Sequence, residues 1–371
     1  SQLRDYFASV PKPERVQTLE DLEPFIEQYH HQVRAGQYDK ARVLFRDRLN
    51  QVTYYQLGAY QLRIELLRSL FPHGENQLPK LRDKEAQGWT LTALANSFGL
   101  SGQPAKAVPL FEADITILER LEDKKNLAIT LGNLANRYCD LGALQAAEAN
   151  LRRAITLSQA VEDMFQEAAG HQELGRLLAY RGDWAEAATE LNKALELDEK
   201  HKVIQGQGIS WAYHTWAALL QTRTGNETAG AATLTLAVRA LELADEDART
   251  RYPHPRDYAR AHWLLGAAHR INRQLNESDT HLSEAFTRCR TINMVDHEAD
   301  ILLDLARLRA DQGQPDESLR LAHEALTITK RSGYVLQGAD VRLFLAQQAL
   351  TQGDEAKALD HARRARQLAR C

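Results

Sequence analysis

The sequence predicts an all-α protein, a solenoid of antiparallel helix pairs, and three features of its 371 residues carry that prediction. First, Gly102, Gly142 and Gly182 stand 40 residues apart, and Gly225, Arg273, Gly313 and Gly353 continue the series. Second, a small residue precedes each anchor by seven positions (Ala95, Ala135, Gly175, Ala218, Gly266, Ala306, Ala346), with Leu94, Leu134, Leu174, Ala217, Leu265, Leu305 and Leu345 just before it. Third, small residues return five positions after the anchor, as in Ala107, Ala147, Ala187 and Ala358. At twelve after it stand Ala154, Ala194, Ala237, Ala285, Ala325 and Ala365, a column that only Asp114 breaks. A repeat of this length signals stacked supersecondary units.

Each element follows from local chemistry. The anchor glycine ends a first helix because a left-handed C-terminal conformation costs it no Cβ clash. Pro104 and Pro315 stand at the first turn of a second helix, where a missing N–H is harmless. Small residues let the two helices approach closely, and the neighbouring leucines fill the groove between hairpins. Seven such units cover residues 83–371. Upstream, Ala35-Gly36-Gln37-Tyr38-Asp39-Lys40-Ala41 with Phe45 repeats the turn spacing, so residues 21–82 read as a degenerate helical cap: a hairpin over 21–50, then a helix over 53–71. Pro72 and Pro79 bracket the loop before the array, and Tyr252-Pro253-His254-Pro255 marks a second long connection.

Composition narrows the function. Lys+Arg 46 against Asp+Glu 50 leaves a net charge of -4, which gives no electrostatic reason to expect nucleic acid or an anionic membrane as partner. Cys139, Cys289 and Cys371 are too far apart for a metal-ligand set or a disulfide framework, so a reducing cytoplasm is expected and no metal or cofactor. His297-Glu298-Ala299-Asp300-Ile301 begins like the H-E-x-x-H zinc motif but has Ile301 where the second ligand belongs. His262 and His269 read as packing residues. No G-x-x-x-x-G-K-[ST] phosphate loop occurs. The expectation is a binding protein, not an enzyme.

The repeat resembles the tetratricopeptide repeat, in the long form of the kinesin-light-chain type, as seen in Gly132-Asn133-Leu134-Ala135-Asn136 and Gly182-Asp183-Trp184-Ala185-Glu186-Ala187-Ala188. That resemblance implies a right-handed superhelix with a concave ligand groove. At the amino end, Leu3-Arg4-Asp5-Tyr6-Phe7 resembles the closing helix of the winged-helix domain in bacterial signal-transduction ATPases with numerous domains (STAND), assigning residues 1–20 to the end of such a segment. This implies a sensor whose ligand relieves autoinhibition of an upstream nucleotide-binding domain. The alternative is a free-standing adaptor that scaffolds protein complexes.

In resembling solenoids the first helix of each hairpin lines the groove. The positions carried over include Trp89, Asn96, Asn136, Asp140, Arg176, Tyr180, Arg223, Arg260, Trp263, Arg270, Asp300, Arg307 and Asp311, and Asn133 joins them. Asparagine reads a peptide backbone with one donor and one acceptor, arginine makes paired charged bonds to carboxylate or phosphate, and tryptophan anchors apolar groups. The ligand-binding set expected is Trp89, Asn96, Asn133, Asn136, Arg176, Tyr180, Arg223, Trp263, Arg270 and Arg307, taking a peptide, a protein or a small acidic ligand. The arginines could instead pair with neighbouring acids. Asn96 and Asn133 match the asparagine pair of chaperone-tail clamps, but Thr92, Ala169 and Glu173 stand where that clamp needs cations. Replacing Asn136 or Arg176 is expected to weaken binding without melting the protein. Arg363, Arg364, Arg366 and Arg370 crowd the last helix, where its dipole favours cations.

Overall fold

A computed structural model describes residues 18–225, 227–251 and 254–370, among which every regular element is helical. The Leu3–Phe7 string and the Tyr252-Pro253 pair lie outside the described residues. The chain opens with α1 (Glu23–Arg34) and α2 (Tyr38–Leu44), then widens into two π-helical turns, Phe45–Leu49 and Val52–Gln56, before α3 (Tyr60–Arg68). Seven hairpins follow: α4 (Lys84–Leu100) with α5 (Pro104–Leu121), α6 (Lys124–Asp140) with α7 (Leu144–Ala160), α8 (Met164–Arg181) with α9 (Trp184–Lys200), α10 (Ile204–Arg223) with α11 (Glu227–Thr250), α12 (Pro255–Ile271) with α13 (Leu275–Thr291), α14 (Val295–Asp311) with α15 (Pro315–Ser332), and α16 (Val335–Thr351) with α17 (Glu355–Leu368).

The turn inside each hairpin is left-handed: φ is 79° at Gly102, 87° at Gly182 and 77° at Gly353, and Arg273 takes 62° where the glycine is missing. A second left-handed column runs through five turns between hairpins, with glycine at Gly333 (74°) and Glu122 (56°), Glu162 (54°), Lys202 (56°) and Asn293 (50°) at the other four, each non-glycine costing about 1 kcal/mol. The first helices of the first three hairpins are capped by aspartates 40 residues apart: Asp83, Asp123 and Asp163 accept from the backbone N–H groups of Ala86, Asn126 and Gln166.

The small columns sit where helices cross. Ala95, Ala107, Ala135, Ala147 and Ala306 are fully buried, and a Cβ on Gly175 would stand 2.6 Å from Leu191 Cγ. Asp114 breaks the alanine column for a local reason: its carboxylate accepts from Thr92 (2.7 Å) and Thr130 (2.9 Å), tying two successive first helices together. Gly88 leaves it room, since a Cβ there would lie 2.3 Å from Asp114 Oδ1. Burial nonetheless raises the Asp114 pKa.

The stack closes on itself. α4 packs against α14 and α6 against α16, so early and late repeats meet. Asn293 Nδ2 donates to Gly58 O (3.2 Å). A Cβ on Gly58 would come within 2.1 Å of Ile292 O, and one on Gly102 within 2.7 Å of Val295 Cγ1. The first helices thereby enclose a channel.

Candidate functional site

A cavity of about 220 Å³ lies at the centre of that channel, and the first helix of all seven hairpins contributes to its wall. α4 supplies Asn96, α6 supplies Asn133, Asn136, Arg137 and Asp140, α8 supplies Glu173, Arg176 and Tyr180, and α10 supplies Tyr213 and Trp216. Opposite them stand Arg256, Arg260 and Trp263 of α12, Asp296, His297 and Asp300 of α14, and Leu336 and Gln337 of α16, with Tyr54 of the cap at one end. A second cavity of about 250 Å³ shares Asn133, Asn136, Glu173, Tyr213 and Arg260 with the first and is otherwise lined by Ile129, Leu151, Phe165 and Ile209, by small residues, and by Gln166, Gln172, Asp198 and Gln205. Phe165 is 53% exposed there. The two form one groove, charged at its centre and mixed at its flank, where Ile129, Phe165 and Ile209 supply the apolar part.

Charge is balanced within it. Arg176 Nε donates to Glu173 (2.8 Å) and its Nη2 to Asn136 Oδ1 (3.0 Å), while Tyr213 OH donates to Glu173 (2.8 Å). Arg256 Nη2 donates to Asp296 (2.6 Å), and Arg137 pairs with Asp140 at 3.2 Å. Burial would raise the Asp296 pKa, but the Arg256 guanidinium overrides it and holds that carboxyl well below the usual range. Glu173 is lowered in the same way: the neighbouring Arg176 outweighs burial. Asp300 has only the amide of Gln337 (2.7 Å), and burial pushes its pKa up to about 7. Burial likewise lifts Asp140 to about 6 against the pull of Arg137. Arg256 Nη1, Arg260 Nε and Asp296 Oδ1 are buried and make no hydrogen bond, so the wall carries unused donors and acceptors side by side.

Six residues of the expected ligand-binding set meet at the central cavity, Asn96, Asn133, Asn136, Arg176, Tyr180 and Trp263, and the groove positions Asp140, Arg260 and Asp300 join them. Tyr180 packs edge-on to Trp216, and Trp263 Nε1 donates to Asp304 (2.8 Å), so Trp263 forms fixed wall. Arg223 and Arg307 line a small adjoining pocket, where Arg307 binds Asp304 (2.7 Å) and both arginines reach Asp340. Two residues lie elsewhere. Trp89 packs on Phe45 beneath Arg42 in the cap, and Arg270 pairs with Asp311 (2.9 Å) beyond the cavity. The arginines are thus engaged with acids of their own or neighbouring repeats or, for Arg223, with Asp340 three hairpins on, the pairing that the sequence left open as an alternative. Sequence reasoning missed Tyr54, Arg137, Tyr213, Arg256, Asp296 and Gln337. A signal was present for some of them: Arg256 with Asp296 and Arg176 with Asn136 are 40 residues apart, one repeat.

The histidines form no metal centre: among the described residues no three His, Cys, Asp or Glu side chains are grouped to hold an ion. His262 Nδ1 lies 2.9 Å from His281 Nδ1, between α12 and α13. Cys139 and Cys289 are buried and free. None of the described helices is long and apolar enough to cross a membrane.

Stacked hairpins around an inner groove define a tetratricopeptide-repeat solenoid. Sequence models described as tetratricopeptide repeat match residues 127–163, 168–201 and 299–332, and the chain has the fold of that superfamily. Over 84 residues it is 34% identical to the regulatory protein RapG of Bacillus subtilis (strain 168), a match spanning 23% of this chain and only 23% of that protein. Two solved structures are similar in fold. The Rap conjugation gene regulator of plasmid pLS20, in complex with the Phr* peptide, is 12% identical, with 93% of each chain covered and a TM-score of 0.65. Aspartyl phosphate phosphatase F from Bacillus subtilis is 13% identical, with 97% of each chain covered and a TM-score of 0.56.

Proposed function

We propose that the chain is a regulatory module that binds a short extended peptide in its enclosed groove. The observation that carries this is the shared wall of the two cavities. Asn133 and Asn136, one turn apart on α6, stand where the charged centre meets the mixed flank, so a peptide main chain can pair with their amides while an apolar side chain enters beside Ile129, Phe165 and Ile209. The similar fold of a regulator solved with a bound peptide supports the reading. The matched charges of the wall favour a ligand bearing both signs or neither over a polyanion.

Two settings fit such a module. A STAND-type sensor requires a nucleotide-binding domain before it, the setting implied by Leu3–Phe7, whereas an adaptor does not. Codons for a phosphate loop upstream of Ser1 would assign the first, and a start codon there the second. The binding proposal itself is tested by panning a library of short peptides against the purified chain and measuring the hits by calorimetry. Asn133→Ala and Ile209→Glu should each weaken the best peptide by roughly 1–3 kcal/mol. Equal affinity for wild type and both variants would place the ligand elsewhere. Acetyl phosphate is included as a substrate probe, because turnover would add an activity that binding alone does not provide.

A further inference from the structure

The central cavity and the small pocket beside Arg223 and Arg307 share a wall of Tyr180, Trp216, Trp263, Asp300, Leu336 and Gln337. Asp300 alone among these carries a carboxyl. Every other carboxylate lining the two cavities has an arginine within ion-pair distance: Asp140 has Arg137, Glu173 has Arg176, Asp296 has Arg256, and Asp304 and Asp340 share Arg223 and Arg307. Asp300 has no such partner among the described residues. Gln337 Nε2 donates to its Oδ2 (2.7 Å), and its Oδ1 accepts no hydrogen bond. An uncharged amide would accept the Gln337 bond equally well, whereas a half-buried carboxylate beside two tryptophans has lost water without gaining a counter-ion.

We propose that Asp300 is the counter-ion for an ammonium group of the ligand, an amino terminus or a lysine side chain, seated between Tyr180, Trp216 and Trp263. Aromatic faces attract cations, and their low polarity strengthens an ion pair by excluding water. The small pocket holds about 10 Å³, room for a group the size of a water molecule, which suits an ammonium and not a guanidinium. A hard metal ion takes about six or more oxygens, and this wall offers too few. The inference rests on the peptide reading above and gives the peptide a direction. The flank cavity and the small pocket have no lining residue in common, so the apolar side chain beside Phe165 and the ammonium at Asp300 lie on opposite sides of the central cavity. The charged and titratable groups around Asp300 are Tyr180 of α8, Arg223 of α10, Arg260 of α12, Asp340 of α16 and, on α14 itself, His297, Asp304 and Arg307. Burial holds Tyr180 above and His297 below their usual ranges, and arginines outweigh burial to keep Asp304 and Asp340 low. Asp300, raised to about 7 by burial, is therefore the group of this wall that changes charge near neutrality.

The test offers the full chain synthetic pools of short random peptides without arginine, with the amino terminus free or acetylated and lysine present or absent. Equilibrium dialysis with mass spectrometry reads what is retained. Peptides carrying an ammonium should be retained about tenfold better than acetylated, lysine-free ones. A preference that survives removal of lysine assigns the amino end, and one that survives acetylation assigns the side chain. Asp300→Asn should abolish the preference while melting no lower than wild type, because its amide oxygen keeps the Gln337 bond and the buried charge is gone. Below pH 7 a proton on Asp300 must leave before the ammonium can pair, so affinity should rise about fivefold from pH 6 to pH 7 in wild type, and Asp300→Asn should lack that rise. Asn133→Ala should weaken all pools alike and keep the preference. Equal retention of every pool by wild type and Asp300→Asn overturns the cation site and leaves peptide binding standing. Butylammonium bound only when Asp300 is present, with no pool retained, overturns peptide binding and keeps the site. Binding of neither overturns both.

Discussion

Replacing Arg176 with alanine should destabilise the solenoid as well as alter its groove, contrary to the expectation from sequence that stability would be unaffected. The guanidinium holds Glu173 at 2.8 Å and reaches Asn136 at 3.0 Å on the preceding repeat, and it lies 5.8 Å from the Tyr213 ring centroid. Its loss leaves the Glu173 carboxylate with the Tyr213 hydroxyl as its remaining partner. Breaking a fully buried pair costs about 3–5 kcal/mol. Because the two side chains are 20% and 21% exposed, solvent screening brings the cost to or below the bottom of that range, about 2–3 kcal/mol. Asn136→Ala loses a single bond and should cost about 1 kcal/mol. The Arg176→Met/Glu173→Met double variant removes both charges and should recover most of the loss. Urea unfolding followed by circular dichroism gives the midpoints, and hydrogen exchange of α8 shows whether the effect is local, since long repeat arrays need not unfold in one step. An Arg176→Ala midpoint within about 0.5 kcal/mol of wild type would refute the structural role and return Arg176 to ligand binding alone.

Three further outcomes are expected. Leu134→Ala, at a side chain 3% exposed between two hairpins, should cost about 2–5 kcal/mol by leaving a cavity, read in the same urea series. Gly36→Ala and Gly58→Ala both place a Cβ at positive φ, worth about 1 kcal/mol. Only Gly58 meets backbone, so Gly58→Ala should lose a further 1–3 kcal/mol or so or open the ring, which X-ray scattering would show as a larger radius of gyration. Asp198, hydrogen-bonded to Gln172 (3.0 Å), is raised by burial to about 7. A carboxyl with a raised folded pKa contributes fully below its unfolded value near 4 and loses that contribution as pH rises toward about 7. Asp198→Asn should therefore stabilise the protein more at pH 8 than at pH 4, and a pH-independent difference would contradict the shift.

Much of the architecture was legible because the repeat imposes it. The left-handed glycines, the small crossing residues and Pro104 and Pro315 each have one physical reason to stand where they do. The second turn column was harder to see, since Glu122, Glu162 and Lys202 adopt a conformation that their side chains do not advertise. Within the groove, column arithmetic located Asn136 and Arg176 but could not say that they bond each other, because pairing depends on rotamers of long side chains. It failed for Trp89, whose face is set by the irregular cap through Phe45 and Arg42. Tyr54 entered the site by way of π-helical turns that no periodicity announces.

Ring closure has a kinetic corollary. Most contacts in a helical-repeat array lie within a hairpin or between neighbours, so folding can begin anywhere and spread. The bond from Asn293 to Gly58 spans 235 residues, and its closure entropy can be met only after the intervening hairpins have stacked at the right pitch. The final step of folding is then a clasp: a fast, local phase builds an open spiral, and a slower one brings its two ends into register.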